Sequence, residues 1–246
     1  MADDCGVSAR LLGLETSTDA CSIALCLDGT LVERHVEEPR QHSRLLIPLL
    51  RELLDGRALQ SLGLQGIAFG AGPGSFTGLR IAASAAQGLA FSLGVPVLPV
   101  ATLACQAAGA LRERRCPPGA ALLSTLDARI GQLYWALYVA GPAGLEECLP
   151  PAVCAPGDLP LQRIREAVAD APLHALGSGV GLLEAGSGDA SFASLQPDIS
   201  PRARDLLSLA ESLLARGGAV APADAAPLYV QAENRWKKLP EQGPRA

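Results

Sequence analysis

The segment Gly70-Ala-Gly-Pro-Gly-Ser-Phe-Thr-Gly-Leu-Arg80, followed by an alanine-rich run to Gly94, constrains the fold more than any other part of the chain. A short apolar run, Ile67 to Phe69, enters a loop with glycines at 70, 72, 74 and 78, and an amphipathic helix begins near Ser75. Glycine has no Cβ and tolerates positive φ, so this backbone can turn sharply and approach another group closely. Two uses compete. Strand, glycine loop and helix N-terminus together can hold an anion on free N–H groups. Alternatively, small residues at 82 to 86 and at 88 leave the helix with little bulk, so that another helix can approach it. No Gly-Lys-Ser/Thr follows the loop, and the glycine spacing does not match a dinucleotide fingerprint. The residues therefore favour packing over phosphate binding.

The order of elements ahead of this segment narrows the class. Leu11–Glu15 reads as a buried strand, Thr16-Ser-Thr-Asp19 as a polar turn, and Ala20–Leu27 as a second strand. Asp28-Gly29 signals a hairpin into a third strand, Thr30–Val36. A helix opens at His42-Ser43, with Leu45, Leu46, Leu49, Leu50, Leu53 and Leu54 at helical spacing, and Pro48 predicts a kink or a late start. The strand Ile67–Phe69, the helix to Leu93, the strand Val97–Val100 and a helix from Thr102 to about Arg115 follow. Cys116-Pro-Pro-Gly119 is the best linker. Beyond it come strands at Ala121–Leu126 and Gln132–Val139 around the turn Asp127–Gly131, and a loop-rich stretch from Pro142 to Pro160. Helices at Leu161–Ala169 and Arg202–Arg216 flank two short glycine turns. This is an α/β chain whose β-β-β-α-β-α opening differs from a nucleotide-binding βαβ fold. A second half that also opens on strands around a polar turn points to two related lobes. The expected division is 1–115, joined by helix 202–216, then 116–232, then a tail at 233–246.

Composition excludes several classes. Hydrophobic residues make up 49% and charged residues 18% of the 246, ample for a core, and that core is aliphatic because aromatics are only 4%. A net charge of −5 argues against nucleic-acid binding over the whole surface, since affinity for phosphates needs clustered cations. No apolar stretch reaches the roughly 18 to 20 residues of a spanning helix. The N-terminal Met1-Ala-Asp-Asp-Cys has no signal-peptide character, so the expectation is a cytoplasmic chain without a membrane segment. Seven cysteines form no Cys-x-x-Cys pair, and Cys21 and Cys26 fall on opposite faces of one strand. Free or buried thiols are expected rather than a disulfide frame or a zinc site.

Few residues point to chemistry. Thr16, Ser17 and Thr18 can set hydroxyls and N–H groups around a phosphate, or form an ordinary hairpin turn. Asp127 is a further phosphate-loop candidate, and Asp127-Ala-Arg129 sets a carboxylate and a guanidinium at a turn, for which a surface ion pair is the safer account. The three histidines, 35, 42 and 174, offer no metal spacing. Gly74-Ser75-Phe-Thr-Gly78 is not a nucleophile elbow, and no Ser, His and Asp stand out together. Arg235, Trp236, Lys237 and Lys238 form the one basic, aromatic patch, able to stack on RNA, to dock into a partner, or to sit in solvent.

Taken together these pieces resemble the TsaB (YeaZ) family of the tRNA N6-threonylcarbamoyladenosine system. The matching segments are Leu14–Leu25, Gln41–Arg44, Gly70–Ile81, Leu126–Trp135, Pro227–Val230 and Trp236–Pro240. They span the chain in order. The resemblance implies a two-lobed actin-like (ribonuclease H-like) ATPase fold and a non-catalytic subunit. That subunit binds the catalytic partner TsaD through the first two helices of its N-terminal lobe. It implies an ATPase partner, TsaE, a functional link to TsaC, and tRNA reached through the complex. A homodimer is expected when the chain is alone. No cofactor of its own is implied, with ATP and a divalent metal on the partners. The partner family's His-x-x-x-His metal motif aligns with Thr102 and Gln106 here, and a hydroxyl and an amide cannot replace two imidazoles on a transition metal. The implied docking residues are Leu46, Leu49, Leu50 and Leu53 of helix 43–54, with Ser75, Arg80, Ala82, Ala86 and Leu89 of helix 75–93. Alternatively, the chain is an actin-like ATP-dependent kinase using Thr16 to Thr18 and Asp127, or a peptidase, for which no nucleophile–base pair is present.

Overall fold

The computed structural model describes residues 3–4, 6–141, 144–186 and 192–230. The first half runs β1 (Asp3–Asp4), β2 (Leu11–Glu15), β3 (Ala20–Leu27), β4 (Thr30–Glu37), α1 (His42–Leu54), β5 (Gly66–Gly72), α2 (Phe76–Leu93), β6 (Val97–Ala101) and α3 (Thr102–Arg112). The second half runs β7 (Ala121–Arg129), β8 (Gln132–Gly141), β9 (Gly144–Cys154), α4 (Leu161–Val168), β10 (Leu173–Leu176), α5 (Val180–Gly186), β11 (Ser194–Gln196) and α6 (Ala203–Ala215).

The two halves repeat one topology. In the first sheet the order is β1-β4-β3-β2-β5-β6, and in the second β11-β10-β7-β8-β9. Each is built on an antiparallel three-strand meander. Each is extended by two parallel strands beside the meander's first strand. Setting aside the two-residue β1, both sheets read 3-2-1-4-5 in their own chain order. The parallel additions need crossover helices, which are α1 and α2 in the first half and α4 and α5 in the second. This doubled arrangement is the two-lobed actin-like fold.

Helices after the fifth strands cross between the lobes. α6 leaves the second half and lays Ala203, Leu206, Leu207 and Ala210 on the first sheet, against Leu11, Ala24, Cys26, Ala68 and Leu98. α3 leaves the first half and packs Leu103, Ala107 and Ala110 against Leu122, Ala136, Tyr138 and Leu176 of the second. The other face of the first sheet takes α1 and α2, with Leu12, Leu14, Ile23, Ile67 and Phe69 beneath them. Covered on both faces, β2 is buried throughout, as the apolar run Leu11–Leu14 requires.

Several elements differ from the sequence expectation. Much of the loop-rich stretch after Pro142 is an edge strand, β9, in which Pro150 and Pro151 fall at a register shift between Leu149 and Ala152 and so need supply no ladder hydrogen bond. β10 is also a strand where none was expected, only four residues long and fully buried. α1 starts at His42 and carries Pro48 inside it, so no late start occurs. β5 runs on to Gly72, which shortens the glycine loop to Pro73-Gly74-Ser75. Cys21 and Cys26 do lie on opposite faces of β3, and the six cysteines among the described residues are free.

Candidate functional site

The glycine segment closes on the chain's own polar turn. The Ser75 N–H donates to Ser17 O at 2.7 Å, and the Thr16 hydroxyl donates to Gly78 O at 2.7 Å. Ser75 caps α2, its hydroxyl accepting from Gly78 N at 3.3 Å. A Cβ on Gly74 would stand 2.5 Å from Ser17 O, and one on Gly78 would strike Thr16 O. These glycines exist to let turn 16–18 sit on the first turn of α2. N–H groups that an anion would need, at 75 and 78, are spent on protein oxygens.

Beneath the turn lies Glu15, which reading the chain for chemistry passed over. It ends the apolar strand β2, is 1% exposed, and accepts from Ser17 N at 2.6 Å through Oε1, while Oε2 has no partner. Gly70 makes room for its carboxyl group. Burial pushes the Glu15 pKa above its ordinary value, against hydrogen bonds from Ser17 and Thr16 that pull it down. Burial likewise lifts the neighbouring Cys21 thiol to about 11, with Glu15 adding to the effect. The available signal was a single acid closing an otherwise apolar strand.

The other phosphate candidates also bond at short range. Thr18 Oγ1 accepts from Ala20 N at 3.4 Å, and Asp127 Oδ1 accepts from Arg129 N at 2.7 Å. The Asp127 N–H reaches Ser178 Oγ at 3.1 Å. Turns 16–19 and 127–131 do face each other, for Arg129 Nη2 lies 3.2 Å from Asp19 Oδ2, an exposed ion pair joining the two lobes. The structure thus brings these candidates to one place, but they are engaged with protein groups of their own turns and of neighbouring segments. Thr102 and Gln106 are fully buried one turn apart on α3. Gln106 Nε2 donates toward Ser124 Oγ, Thr125 O and Leu176 O at 3.0, 3.1 and 3.2 Å, strapping α3 to the second sheet.

The helix residues divide differently from expectation. Leu46, Leu49, Leu50 and Leu53 are buried in the first lobe's core, as are Ala82 and Ala86, and Leu89 is half-buried. Leu49, Leu50, Leu53, Ala82 and Ala86 cannot present a docking face, because that apolar stripe covers the chain's own sheet, whereas Leu46, though nearly buried, also lines the outer groove between the two helices. Only Ser75 and Arg80 of the expected set are exposed. What α1 and α2 turn outward is a groove of about 520 Å³ lined by Ser43, Ile47, Phe76, Arg80, Ser84 and Ala85. Ile47 is 43% and Phe76 57% exposed, high for large apolar side chains. Ile47 was legible as the one apolar residue of α1 off the leucine stripe.

A strap from the C-terminal region completes one end of this groove. Val220 pairs with Val97, Gln87 Nε2 donates to Ala225 O at 2.8 Å, and Leu228 N donates to Ala71 O at 2.6 Å. Tyr229 packs on Phe76 with ring centroids 5.8 Å apart, and its hydroxyl accepts from Arg80 Nε at 3.1 Å. The Arg80 guanidinium lies 3.8 Å above the Phe76 ring, a cation–π stack. Arg235, Trp236, Lys237 and Lys238 lie outside the described residues.

Known proteins agree with this architecture. The family model described as "TsaD: tRNA N6-adenosine threonylcarbamoyltransferase" matches residues 36–213. The Escherichia coli protein named "tRNA threonylcarbamoyladenosine biosynthesis protein TsaB" is 33% identical over 94% of this chain and 98% of its own length. Its Haemophilus influenzae counterpart of the same name is 30% identical over 94% and 97%. The solved structure of YeaZ from Pseudomonas aeruginosa is 37% identical, superposes with a TM-score of 0.80, and covers 90% of this chain and all of its own. Full-length agreement in sequence and in the doubled fold places the chain: it belongs to the TsaB (YeaZ) family.

Proposed function

We propose that this chain is a non-catalytic subunit of the tRNA threonylcarbamoyladenosine machinery. In this reading it binds TsaD and supports transfer of the threonylcarbamoyl group to N6 of adenine 37 in tRNA. The observation that carries the reading is the solvent-exposed apolar groove between α1 and α2 in a chain of this family. A groove lined by apolar Leu46, Ile47, Phe76, Ile81 and Ala85 together with polar Ser43, Thr77, Arg80 and Ser84 has the make-up of a protein-docking patch. The contact set is accordingly Ser43, Leu46, Ile47, Phe76, Arg80 and Ser84, with Tyr229 beside them, in place of Leu49, Leu50, Leu53 and the buried alanines. Two observations support a non-catalytic role. The Thr16 hydroxyl and the Ser17 carbonyl of turn 16–18 are bonded to the α2 segment, and Gln106 holds the lobes together from a position where the partner family carries a metal-binding histidine. TsaE completes the complex and TsaC supplies the activated threonylcarbamoyl group, with ATP and a divalent metal held by partner subunits. The isolated chain pairs with itself through the same groove. No helix among the described residues is long and apolar enough to cross a membrane, and the cytoplasm is the proposed compartment.

Reconstitution tests the reading. Purified chain alone transfers nothing to tRNA, and adding it to TsaD, TsaE and TsaC with ATP, threonine and bicarbonate restores modification. Full modification without the chain overturns it. Calorimetry with ATP and magnesium separates it from the kinase alternative, which requires binding by the isolated chain.

A further inference from the structure

We propose that Ile130, at the tip of the β7–β8 hairpin, is a docking knob that enters an apolar pocket of the protein covering the α1–α2 groove, so that this partner grips both lobes. The inference rests on the docking reading above, in which that protein is TsaD. Ile130 is 93% exposed, more than any other large apolar residue among those described. Its backbone makes that placement costly. Arg129 pairs with Gln132 in the ladder, so Ile130 and Gly131 form a two-residue connection, with φ of +48° and +73°. Such a connection favours Asn-Gly or Asp-Gly, because a β-branched side chain is strained at positive φ. The first lobe meets the demand, for its β3–β4 hairpin turns through Asp28-Gly29, both at positive φ. At 130 the chain instead keeps an isoleucine that neither suits the turn nor reaches a core. Strain kept without a packing role is characteristic of residues that contact a ligand or partner.

Its surroundings favour one kind of occupant. The tip is held in place, because Asp127 Oδ1 accepts from Arg129 N at 2.7 Å and Arg129 Nη2 lies 3.2 Å from Asp19 Oδ2 across the lobes. Asp19 and Asp127 against Arg129 leave the knob without net positive charge, which disfavours a nucleic-acid backbone. An aliphatic tip on a stiff hairpin fits a protein pocket instead. Asp19 also closes the turn whose Ser17 carbonyl and Thr16 hydroxyl bond the first turn of α2. Phe76 and Thr77 of that same turn line the groove. Groove, polar turn and knob are therefore one continuous surface, and a protein seated in the groove meets the knob at its edge.

Two variants of the full-length chain separate contact from fold. Ile130→Asn suits positive φ and removes the apolar tip, while Ile130→Leu keeps the tip without the branch at Cβ. Ile130→Asn should unfold at a higher urea concentration than the parent, yet lose roughly tenfold or more in TsaD affinity by calorimetry. Ile130→Leu should bind TsaD nearly as the parent does. With p-benzoylphenylalanine in place of Ile130, irradiation of the complex reconstituted with TsaD and TsaE should crosslink the chain to TsaD. Unchanged affinity of Ile130→Asn overturns the proposal, as does an equal loss in both variants. So does a crosslink confined to TsaE or to a second copy of the chain. Loss of TsaD affinity in Ile47→Asp but not in Ile130→Asn removes only the knob, whereas a parent chain that binds no TsaD removes the docking reading and the knob with it.

Discussion

Burial lifts the Glu15 carboxyl above the ordinary 4.5 while Ser17 N–H holds one of its oxygens, so the folded chain binds this proton more tightly than the unfolded chain does. Such a group contributes stability that is complete below the unfolded pKa and is lost as pH rises through the folded one. Cys21 and Cys105, whose thiols sense Glu15 from β3 and α3, are both raised and stay neutral across that window. Glu15→Gln keeps the shape and removes the charge. Urea unfolding between about pH 5 and about pH 8 should therefore show stability falling in the parent and falling less in the variant. Equal slopes would show that Glu15 is not the titrating group. At the same turn, Gly78→Ala sets a methyl group against the Thr16 carbonyl, a backbone group that cannot swing aside as a flexible side chain would. About 2 kcal/mol of destabilisation is expected from such overpacking. Gly88, on the same helix with open space where its Cβ would be, gives the opposite sign, a gain of up to about 1 kcal/mol on conversion to Ala. Matching signs at the two positions would contradict the close-packing account.

A helix shows its periodicity in the sequence but not which neighbour its apolar face meets. α1 illustrates this: the leucines at 46, 49, 50 and 53 were legible as one stripe, yet only the fold tells that the stripe meets β3 rather than a partner. Leu50→Ala should then cost about 2 to 5 kcal/mol in urea unfolding, as deletion of a buried leucine does. Ile47→Asp, on the outer face, should leave stability within about 0.5 kcal/mol. The same change should weaken TsaD binding by roughly tenfold or more in calorimetry, the loss expected of a central interface residue. A stable Leu50→Ala chain that loses its partner would reverse the assignment. Strands were legible where alternation or unbroken apolarity met a strong turn, as at Asp28-Gly29, whose two residues both take positive φ. β9 was hidden because prolines on an edge strand look like loop, and β10 because four residues carry too little pattern. The turn at 16–19 was visible in the sequence, but its contact with Gly74 and Gly78 arises from a pairing some sixty residues apart that no local pattern encodes.

At the scale of the molecule, the exchanged helices decide how the two lobes behave. If each lobe kept its own last helix, the pair would share only a surface and could unfold separately. Instead α6 fills one face of the first sheet, and α3 covers one face of the second. Their junction is reinforced by Arg112 bonded to the buried Asp205 at 2.6 Å, and by Arg202 paired with Glu33 at 3.0 Å. Removing α6 would expose Leu11, Ala68 and Leu98, so neither sheet has a complete core without chain from the other half. Heat should consequently unfold the chain in one transition, with calorimetric and van't Hoff enthalpies equal. A probe distant from the perturbation makes the test sharper. Ile164→Ala, on the buried face of α4 in the second lobe, should shift the loss of Trp135 fluorescence and the exposure of the Cys21 thiol in the first lobe by the same number of degrees. Two separate midpoints, or a Cys21 transition that ignores Ile164→Ala, would mean that the crossing helices do not couple the lobes.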